Sequence, residues 1–163
     1  MRVLLVGGGC RGLSLTRGLV ADGHAVRAVT RTEAGRERIE AAGAECWIGT
    51  PDAVGTLRYA LESVTILVWA LGTAAGTRDA VGPLHGSRLA MMLDKTIDTT
   101  VRGVVYEAAG TVDADLLAAG AAEVRRAHDV NEIPVALLDA DPADAEGWAA
   151  AARAQIDRLL AVR

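Results

Sequence analysis

The chain has 163 residues, of which 51% are hydrophobic and 3% aromatic, and it carries a formal net charge of −4. A chain of this length buries a sizeable core, so we expect one domain over residues 1–163 and no separate substrate domain. The negative charge argues against nucleic acid as the main partner, because such binding depends on a basic surface that neutralises phosphates.

Hydropathy and cysteine usage indicate the cellular setting. The longest strongly apolar run, residues 64–71, is far shorter than the roughly 20 residues that cross a bilayer. The first residues enter a strand directly, without the apolar segment and cleavage site of a secretory signal. Cys10 and Cys46 form neither a metal motif nor a disulfide framework. We therefore expect a cytoplasmic protein with no membrane partner.

The first predicted elements form a strand, a glycine turn and a helix. Residues 3–6 are a short apolar strand, and Gly7-x-Gly9-x-x-Gly12 leads from it into a helix over residues 11–21. In such a unit the first glycine permits the tight turn, the second lets the backbone approach a pyrophosphate, and the third lets the helix pack on the strand. The phosphates lie on free N–H groups at the positive end of the helix. The sequence therefore predicts a dinucleotide-binding unit.

The second predicted strand, residues 25–29, ends at Thr30, Arg31 and Thr32. A protein that prefers NAD usually presents Asp or Glu there to hold the ribose 2′-hydroxyl, and no carboxylate is present. The Arg31 guanidinium can instead pair with the 2′-phosphate of NADP through its fork of donors. We therefore predict NADP(H) in preference to NAD(H). The alternative is a solvated arginine at a strand end, followed by an ordinary charged helix face.

The remaining chain alternates strands and helices. Strands are predicted at residues 45–48, 64–70, 103–106 and 134–138, and helices at residues 33–42, 52–61, 84–98, 114–128 and 143–161. This alternation implies right-handed crossovers and a parallel sheet covered on both faces. We expect an α/β, single-domain, doubly wound Rossmann fold whose six parallel strands follow the order 3-2-1-4-5-6.

Several segments of the first 72 residues carry a family pattern. Besides the glycine motif they are Gly23-His24-x-Val26-Arg27-Ala28-Val29-x-Arg31, Ala42-Gly43-Ala44-Glu45 leading to Gly49, Leu57-x-x-Ala60-Leu61, and Ala70-Leu71-Gly72. In these segments the chain resembles the NAD(P)-binding proteins of the atypical or extended short-chain dehydrogenase/reductase group, including NmrA-like and epimerase/dehydratase-like proteins. The resemblance implies NADP(H) bound along the carboxyl ends of the strands, with the adenine near strands two and three and the nicotinamide near strands four and five.

The glycine motif and the resemblance together indicate a set of cofactor-binding residues. These are Gly7, Gly9, Cys10, Arg11, Gly12, Thr30, Arg31, Thr32, Thr50, Ala70, Leu71 and Gly72. Two departures from the group affect this end of the site. The glycine motif is one residue shorter than the group's G-x-x-G-x-x-G, and Thr50 stands where relatives often carry an Asp that meets the adenine amino group.

The catalytic half of the family pattern is missing. The group commonly uses a Tyr-x-x-x-Lys pair after strand five, with a Ser near the end of that strand. Neither Tyr59 nor Tyr106 is followed four residues later by lysine, and Ala or Gly takes the serine position. Reduction of a carbonyl needs a proton donor or an oxyanion stabiliser near the oxygen. The usual source of that proton is therefore absent.

The sequence leaves the catalytic residues unknown, with Glu107, Tyr106 and His85 as candidates. Glu107 ends an inner strand, where ligands bind in open α/β sheets. An unperturbed glutamate is ionised at neutral pH, and Gly110 and Thr111 beyond Glu107 suggest an open loop that would not change its ionisation. We therefore predict that Glu107 orients a ligand and donates no proton. Its alternative role is a cap. Tyr106 either contacts ligand or packs beneath the next helix, and His85 either approaches a nicotinamide or caps its helix and faces solvent.

A group of aspartates lies around Pro142. Asp139, Asp141 and Asp144 resemble metal-ligand spacing only superficially, because a strand-to-helix turn capped by Asp141 or a neighbour explains them without a cation. We therefore predict no metal site.

Two function hypotheses remain. The missing Tyr-x-x-x-Lys pair favours a catalytically silent NADP(H)-binding protein that senses redox state or regulates a partner. The alternative is an NADPH-dependent oxidoreductase that acts on a small acceptor, such as a flavin, quinone or carbonyl, and takes its proton from water. Expected partners are the dinucleotide, a small-molecule substrate in the second case, and a second copy of the chain through the helix at residues 84–98 or the terminal helix.

Overall fold

The computed structural model describes residues 1–162 as six parallel strands with helices between them. The strands are β1 Arg2–Gly7, β2 Ala25–Thr30, β3 Glu45–Ile48, β4 Ile66–Ala70, β5 Gly103–Glu107 and β6 Val135–Leu138. The α-helices are α1 Gly9–Ala21, α2 Arg36–Ala41, α3 Arg78–Val81, α4 Ser87–Thr96, α5 Ala114–Asn131 and α6 Ala145–Ala161. Four short 3₁₀ turns lie at Glu33–Gly35, Val54–Leu57, Tyr59–Leu61 and Gly82–His85.

The strand order is β3-β2-β1-β4-β5-β6, and every neighbouring pair is parallel, which confirms the predicted doubly wound sheet. Its central pair is β1 and β4, in register from Val3 opposite Ile66 to Gly7 opposite Ala70. The chain leaves β1 toward β2 on one side and returns to β4 on the other. The loops at the carboxyl ends therefore diverge between β1 and β4, where open α/β sheets bind ligands.

The central strands are buried on both faces, so alternate residues supply two separate cores. Leu4, Leu67 and Trp69 belong to one core, which α4, α5 and the 3₁₀ turns between β3 and β4 complete. Val3 and Val68 belong to the other, which α1, α2 and α6 complete. This two-sided burial is the reason that β1, β4 and β5 read as near-continuous apolar runs.

Three predicted helices differ from those observed, and the first of them, residues 33–42, consists of a 3₁₀ turn at Glu33–Gly35 followed by α2. Residues 52–61 form two 3₁₀ turns, because Gly55 in so short a segment disfavours a continuous α-helix. The helix predicted at residues 84–98 begins at Ser87, after a separate 3₁₀ turn. Gly86 between them has φ −137° and ψ −107°, which is not helical.

The remaining boundaries shift by a few residues. Strand β4 begins at Ile66 and not at residue 64, because the left-handed Ser63 (φ 59°) reverses the chain and Val64 donates a turn hydrogen bond to Leu61. Helix α6 begins after Asp144, whose carboxylate accepts the Gly147 N–H at 3.0 Å. The prediction that Asp141 or a neighbour caps this helix is therefore confirmed through Asp144. Among residues 1–162 no helix has the length and apolarity needed to span a membrane.

The packing of α5 on β5 generates a stability prediction. Gly120 lies in the interior of α5, and an added Cβ would overlap the Tyr106 ring and hydroxyl. We expect Gly120→Ala to lower the free energy of unfolding by about 1–3 kcal/mol, the usual cost of overpacking. Gly18→Ala is the matched helical control, since its Cβ would come no closer than 3.4 Å to a flexible arginine. Urea denaturation should show a loss for the first variant and no loss for the second.

Candidate functional site

The glycine motif forms a left-handed turn at the end of β1. Gly7, Gly8 and Gly9 have φ values of +83°, +94° and +51°, a region that side chains rarely adopt. The Gly8 N–H donates to the Ala70 carbonyl at 2.9 Å, and a Cβ on Gly7 would overlap that same carbonyl. Glycine is therefore required for the turn to pack against the end of β4.

Helix α1 begins in this turn with free donors. Its first helical bond runs from the Gly12 N–H to the Gly8 carbonyl at 2.9 Å, so the N–H groups of Gly9, Cys10 and Arg11 precede it without an intrahelical acceptor. A Cβ built on Gly9 would meet no atom within 4 Å, so space is open beside the first residue of α1. Free N–H groups at the positive end of a helix, beside open space, fit a phosphate group.

The third glycine of the motif has the packing role that the sequence predicts. A Cβ on Gly12 would lie 3.1 Å from the Leu5 side chain and 3.2 Å from the Gly7 carbonyl. Helix α1 consequently lies close against β1. The space between this turn, β2 and α2 is a small cavity of about 140 Å³, whose lining includes Gly9, Thr30 and Arg38.

The ends of β2 and β3 place the predicted adenosine-side residues together. The Arg31 guanidinium lies 3.0 Å from the Asp52 carboxylate, and both side chains are about half exposed. Thr50 accepts the Asp52 N–H at 3.2 Å, while the Thr30 hydroxyl donates to the Thr32 carbonyl at 3.3 Å. The sequence analysis identified neither Asp52 nor Arg38 as part of this region. An aspartate two residues beyond Thr50 was the available signal for Asp52.

Glu107 lies in an enclosed environment, so the expectation of an open loop around it is wrong. Its side chain is fully buried and accepts Arg11 Nε at 2.9 Å and Arg11 Nη2 at 2.7 Å. The Gly72 N–H donates to the same carboxylate at 2.7 Å. The Arg11 guanidinium also lies 5.2 Å from the Trp148 ring centroid. The Glu107 carboxylate is thus bonded to protein donors and closed off from solvent, so it exposes no oxygen that would support its predicted role of orienting a ligand.

His85 and Tyr106 form a second buried polar group. His85 is 1% exposed, with Nδ1 2.7 Å from the Tyr106 hydroxyl and Nε2 3.1 Å from the Leu71 carbonyl. Because the carbonyl only accepts, Nε2 carries the proton and Nδ1 accepts from the tyrosine. The expectation that His85 caps α4 or faces solvent is therefore wrong. The alternative that Tyr106 packs beneath the next helix is confirmed, because its ring lies against Gly120 of α5.

The same burial determines the protonation of both groups. Burial lowers the pKa of His85 below its ordinary value, although the Leu71 carbonyl partly opposes the shift. Burial, with a smaller contribution from the Glu107 charge, raises the pKa of Tyr106 well above its ordinary value. At neutral pH His85 is therefore neutral and Tyr106 protonated, and each is bonded to protein.

A second, larger cavity lies at the carboxyl ends of β4, β5 and β6. Its volume is about 460 Å³, and its polar side chains are Thr73, Thr111 and Asp141. The other lining residues are Ala109, Gly110, Pro142 and Ala143. The loops after these three strands thus converge on one cavity. Within residues 1–162 no three His, Cys, Asp or Glu side chains are grouped so that they could hold a metal ion.

The fold resembles that of known dinucleotide-binding proteins. The UDP-glucuronic acid 4-epimerase of Bacillus cereus in complex with NAD is 13% identical with a TM-score of 0.69, over 86% of this chain and 56% of that chain. The triphenylmethane reductase of Citrobacter sp. in complex with NADP(H) is 18% identical with a TM-score of 0.63, over 84% and 48%. A putative NAD-dependent epimerase/dehydratase from Bacillus halodurans is 20% identical with a TM-score of 0.70, over 86% and 70%.

These neighbours are epimerase, dehydratase and reductase proteins, the group that the sequence itself resembles. At these low sequence identities the similarity shows the fold. The chain spans about half the length of the epimerase and of the triphenylmethane reductase. Comparison of the sequence with protein-family models and with curated proteins found no match.

The lowered pKa of His85 generates a pH prediction. In the unfolded chain this histidine binds a proton near pH 6.5, whereas the buried imidazole resists protonation. Its contribution to stability is fully present above pH 6.5 and is lost as the pH falls toward the lowered folded pKa, by up to about 1.4 kcal/mol per pH unit. Urea denaturation at pH 7, 6 and 5 should show this slope, and His85→Gln should flatten it.

The exposed His128 offers the matched control. His128→Gln removes an imidazole outside the core and should keep the loss of stability that depends on His85. An identical slope in the parent and in His85→Gln would contradict the assignment of a buried, neutral His85.

Proposed function

We propose that the protein binds NADP(H) along the carboxyl edge of its sheet and acts as a redox-sensing or regulatory dinucleotide binder. The observation that carries this proposal is the left-handed turn Gly7 to Gly9. It leads into three N–H donors of α1 without an intrahelical acceptor, and space is open beside Gly9. Backbone donors at a helix terminus, reached through a turn without side chains, suit a pyrophosphate. Two fold neighbours are in complex with NAD and with NADP(H), which supports a nicotinamide dinucleotide as the ligand.

The preference for NADP(H) depends on Arg31. Its guanidinium is exposed and directly follows β2, next to Thr30, which lines the small cavity beside the glycine turn. A 2′-phosphate would bring about two negative charges beside a half-exposed ion pair, and the charge-assisted bonds that it forms can replace the bond to Asp52. Arg38 places a cation in the lining of that cavity. A free ribose hydroxyl would gain nothing comparable from these arginines.

The regulatory role rests on the state of the groups nearest the expected nicotinamide. Glu107, Tyr106 and His85 are each at most 1% exposed and bonded to protein atoms. A general acid must come within hydrogen-bond reach of the substrate, and these three do not present a free face. Together with the missing Tyr-x-x-x-Lys pair, this burial favours binding without carbonyl reduction. A sensor of this kind must bind NADPH and NADP⁺ with different affinities.

The second candidate is an NADPH-dependent oxidoreductase acting on a small flavin, quinone or carbonyl acceptor. The cavity lined by Thr73, Thr111 and Asp141 favours it, because a volume of about 460 Å³ at the nicotinamide end of the sheet accommodates a small molecule. The proton would then come from water. The homodimer predicted through α4 or α6 stays a prediction under either function.

Calorimetry and a turnover assay distinguish the two candidates. We expect NADPH and NADP⁺ to bind with clearly different affinities and a panel of flavins, quinones and carbonyls to give no NADPH oxidation above the uncatalysed rate. Steady, enzyme-dependent oxidation with any acceptor would replace the regulatory proposal by the reductase. Equal affinities for the two redox forms without turnover would remove the sensing role.

The glycine turn supplies the first test of binding. Gly9→Val should fill the open space beside the first residue of α1 and raise the NADPH dissociation constant at least tenfold. Gly23→Val is a close control, since Gly23 also has positive φ (+83°) and no atom within 4 Å of its Cβ, but precedes β2 at the opposite edge of the sheet. Both variants share the backbone strain, so only a difference in NADPH affinity supports the assigned site. If both bind NADPH alike, the turn is not the pyrophosphate site.

Cofactor choice is tested at Arg31. The parent should bind NADPH more tightly than NADH, and Arg31→Ala should remove about 1.5–3 kcal/mol of that preference, the range for hydrogen bonds to charged groups. Calorimetric titration of both cofactors measures it directly. Arg125→Ala, an exposed arginine on α5, should leave the preference unchanged. Equal affinities of the parent for NADPH and NADH would refute the prediction.

A further inference from the structure

We propose that Arg11 and Glu107 form a positioning pair that holds the main chain of the pyrophosphate-binding turn in its binding geometry. This inference rests on the proposed dinucleotide function. It assigns to both residues an action through the turn and not through direct contact of their side chains with the ligand.

The main chain of Arg11 belongs to the turn, whereas its side chain is buried in the core. Its N–H is the third of the free donors at the start of α1, after those of Gly9 and Cys10. Arg11 is 7% exposed, and its guanidinium is bonded at two points to Glu107, 96 residues later in the chain. A two-point bond restricts both the position and the rotation of the guanidinium plane. The direction of the first turn of α1 is thus tied to the end of β5.

The pair also joins the strand ends that surround the turn. The Ala70 carbonyl at the end of β4 accepts the Gly8 N–H at 2.9 Å and Arg11 Nη2 at 3.5 Å. The Glu107 carboxylate accepts the Gly72 N–H at 2.7 Å. The ends of β1, β4 and β5 therefore meet through one buried pair of charges.

Glu107 extends this connection to the larger cavity. Gly72, which donates to Glu107, accepts the Val112 N–H through its own carbonyl at 3.0 Å. A Cβ on Gly110 would overlap the Gly72 carbonyl, so the loops after β4 and β5 lie in direct backbone contact. Thr73 and Thr111, the neighbours of these contacts, line the cavity of about 460 Å³. The pair is thus placed between the dinucleotide turn and the second cavity.

Stability alone is a poor explanation for the pair. Two charges removed from water lose hydration, and apolar residues of similar size often replace a buried ion pair without loss of stability. Removal of one partner is different, because the other charge then stays buried and uncompensated. What an apolar replacement cannot reproduce is the directional, two-point bond. The physical role of the pair is therefore best sought in geometry.

The test compares stability with NADPH affinity in the same variants. Arg11→Met should lower both the urea midpoint and the affinity, because Glu107 is left unpaired. The double variant Arg11→Met/Glu107→Leu should recover the urea midpoint of the parent while its NADPH dissociation constant stays raised by about tenfold or more. If the affinity recovers together with the midpoint, the pair is structural only and the proposal is overturned.

Two further variants keep the test decisive. Arg11→Lys keeps the positive charge but loses the two-point bond. It should therefore fold and bind NADPH several-fold more weakly than the parent. Parent-like affinity of this variant would overturn the proposal, even if the double variant does not fold. Arg27→Met/Glu45→Leu removes the ion pair between β2 and β3 and should leave the affinity of the folded protein unchanged. A comparable loss there would likewise overturn a specific role for Arg11 and Glu107.

The parent protein separates this inference from the function on which it rests. If the parent binds neither NADPH nor NADH in calorimetry, the proposed function itself fails. If the parent binds NADPH and the double variant binds equally well, only the positioning role fails.

Discussion

A carboxylate at the end of a completely buried strand must have its charge compensated by other protein groups. This requirement determines how the strand ends around the glycine turn are joined. All five residues of β5 are buried, so Glu107 has no access to water along its own strand. A buried charge is tolerated only with a partner and hydrogen bonds. Arg11 and the Gly72 N–H provide them. Consequently the glycine turn, the end of β4 and the end of β5 are held at one point.

This compensation also changes the chemistry available at the expected nicotinamide end. A carboxylate at that strand end would ordinarily suggest a group that contacts ligand, but here its oxygens are taken by protein donors. His85 and Tyr106 likewise bond to each other beneath the surface. The groups that look reactive in the sequence therefore stabilise the edge of the sheet, while the polar atoms left for a ligand are backbone N–H groups, threonine hydroxyls and the Asp141 carboxylate.

The two ends of this edge differ in charge as well as in shape. At the β2 end, Arg38 borders a narrow space beside the glycine turn, and the exposed Arg31 directly follows β2. Two arginines in this region suit the phosphates and ribose of a dinucleotide. At the β4 to β6 end, a wider cavity carries Asp141 and two threonines. An extended ligand that is anionic at one end and uncharged or cationic at the other would match this division.

The sequence alone determined the strand order, the location of the glycine turn and the basic residue at the end of β2. Each of these depends on local signals: short apolar runs, a glycine spacing with one steric meaning, and the residue that follows a strand. Helix limits near Gly55 and Gly86 were less accurate, because glycine and proline change local geometry in ways that hydrophobic periodicity does not record. Only the tertiary structure decided that Glu107 meets Arg11, that His85 is buried against Tyr106, and that Arg31 lies beside Asp52. These pairs join residues distant along the chain, and their burial and charge compensation arise when the strand ends are brought together.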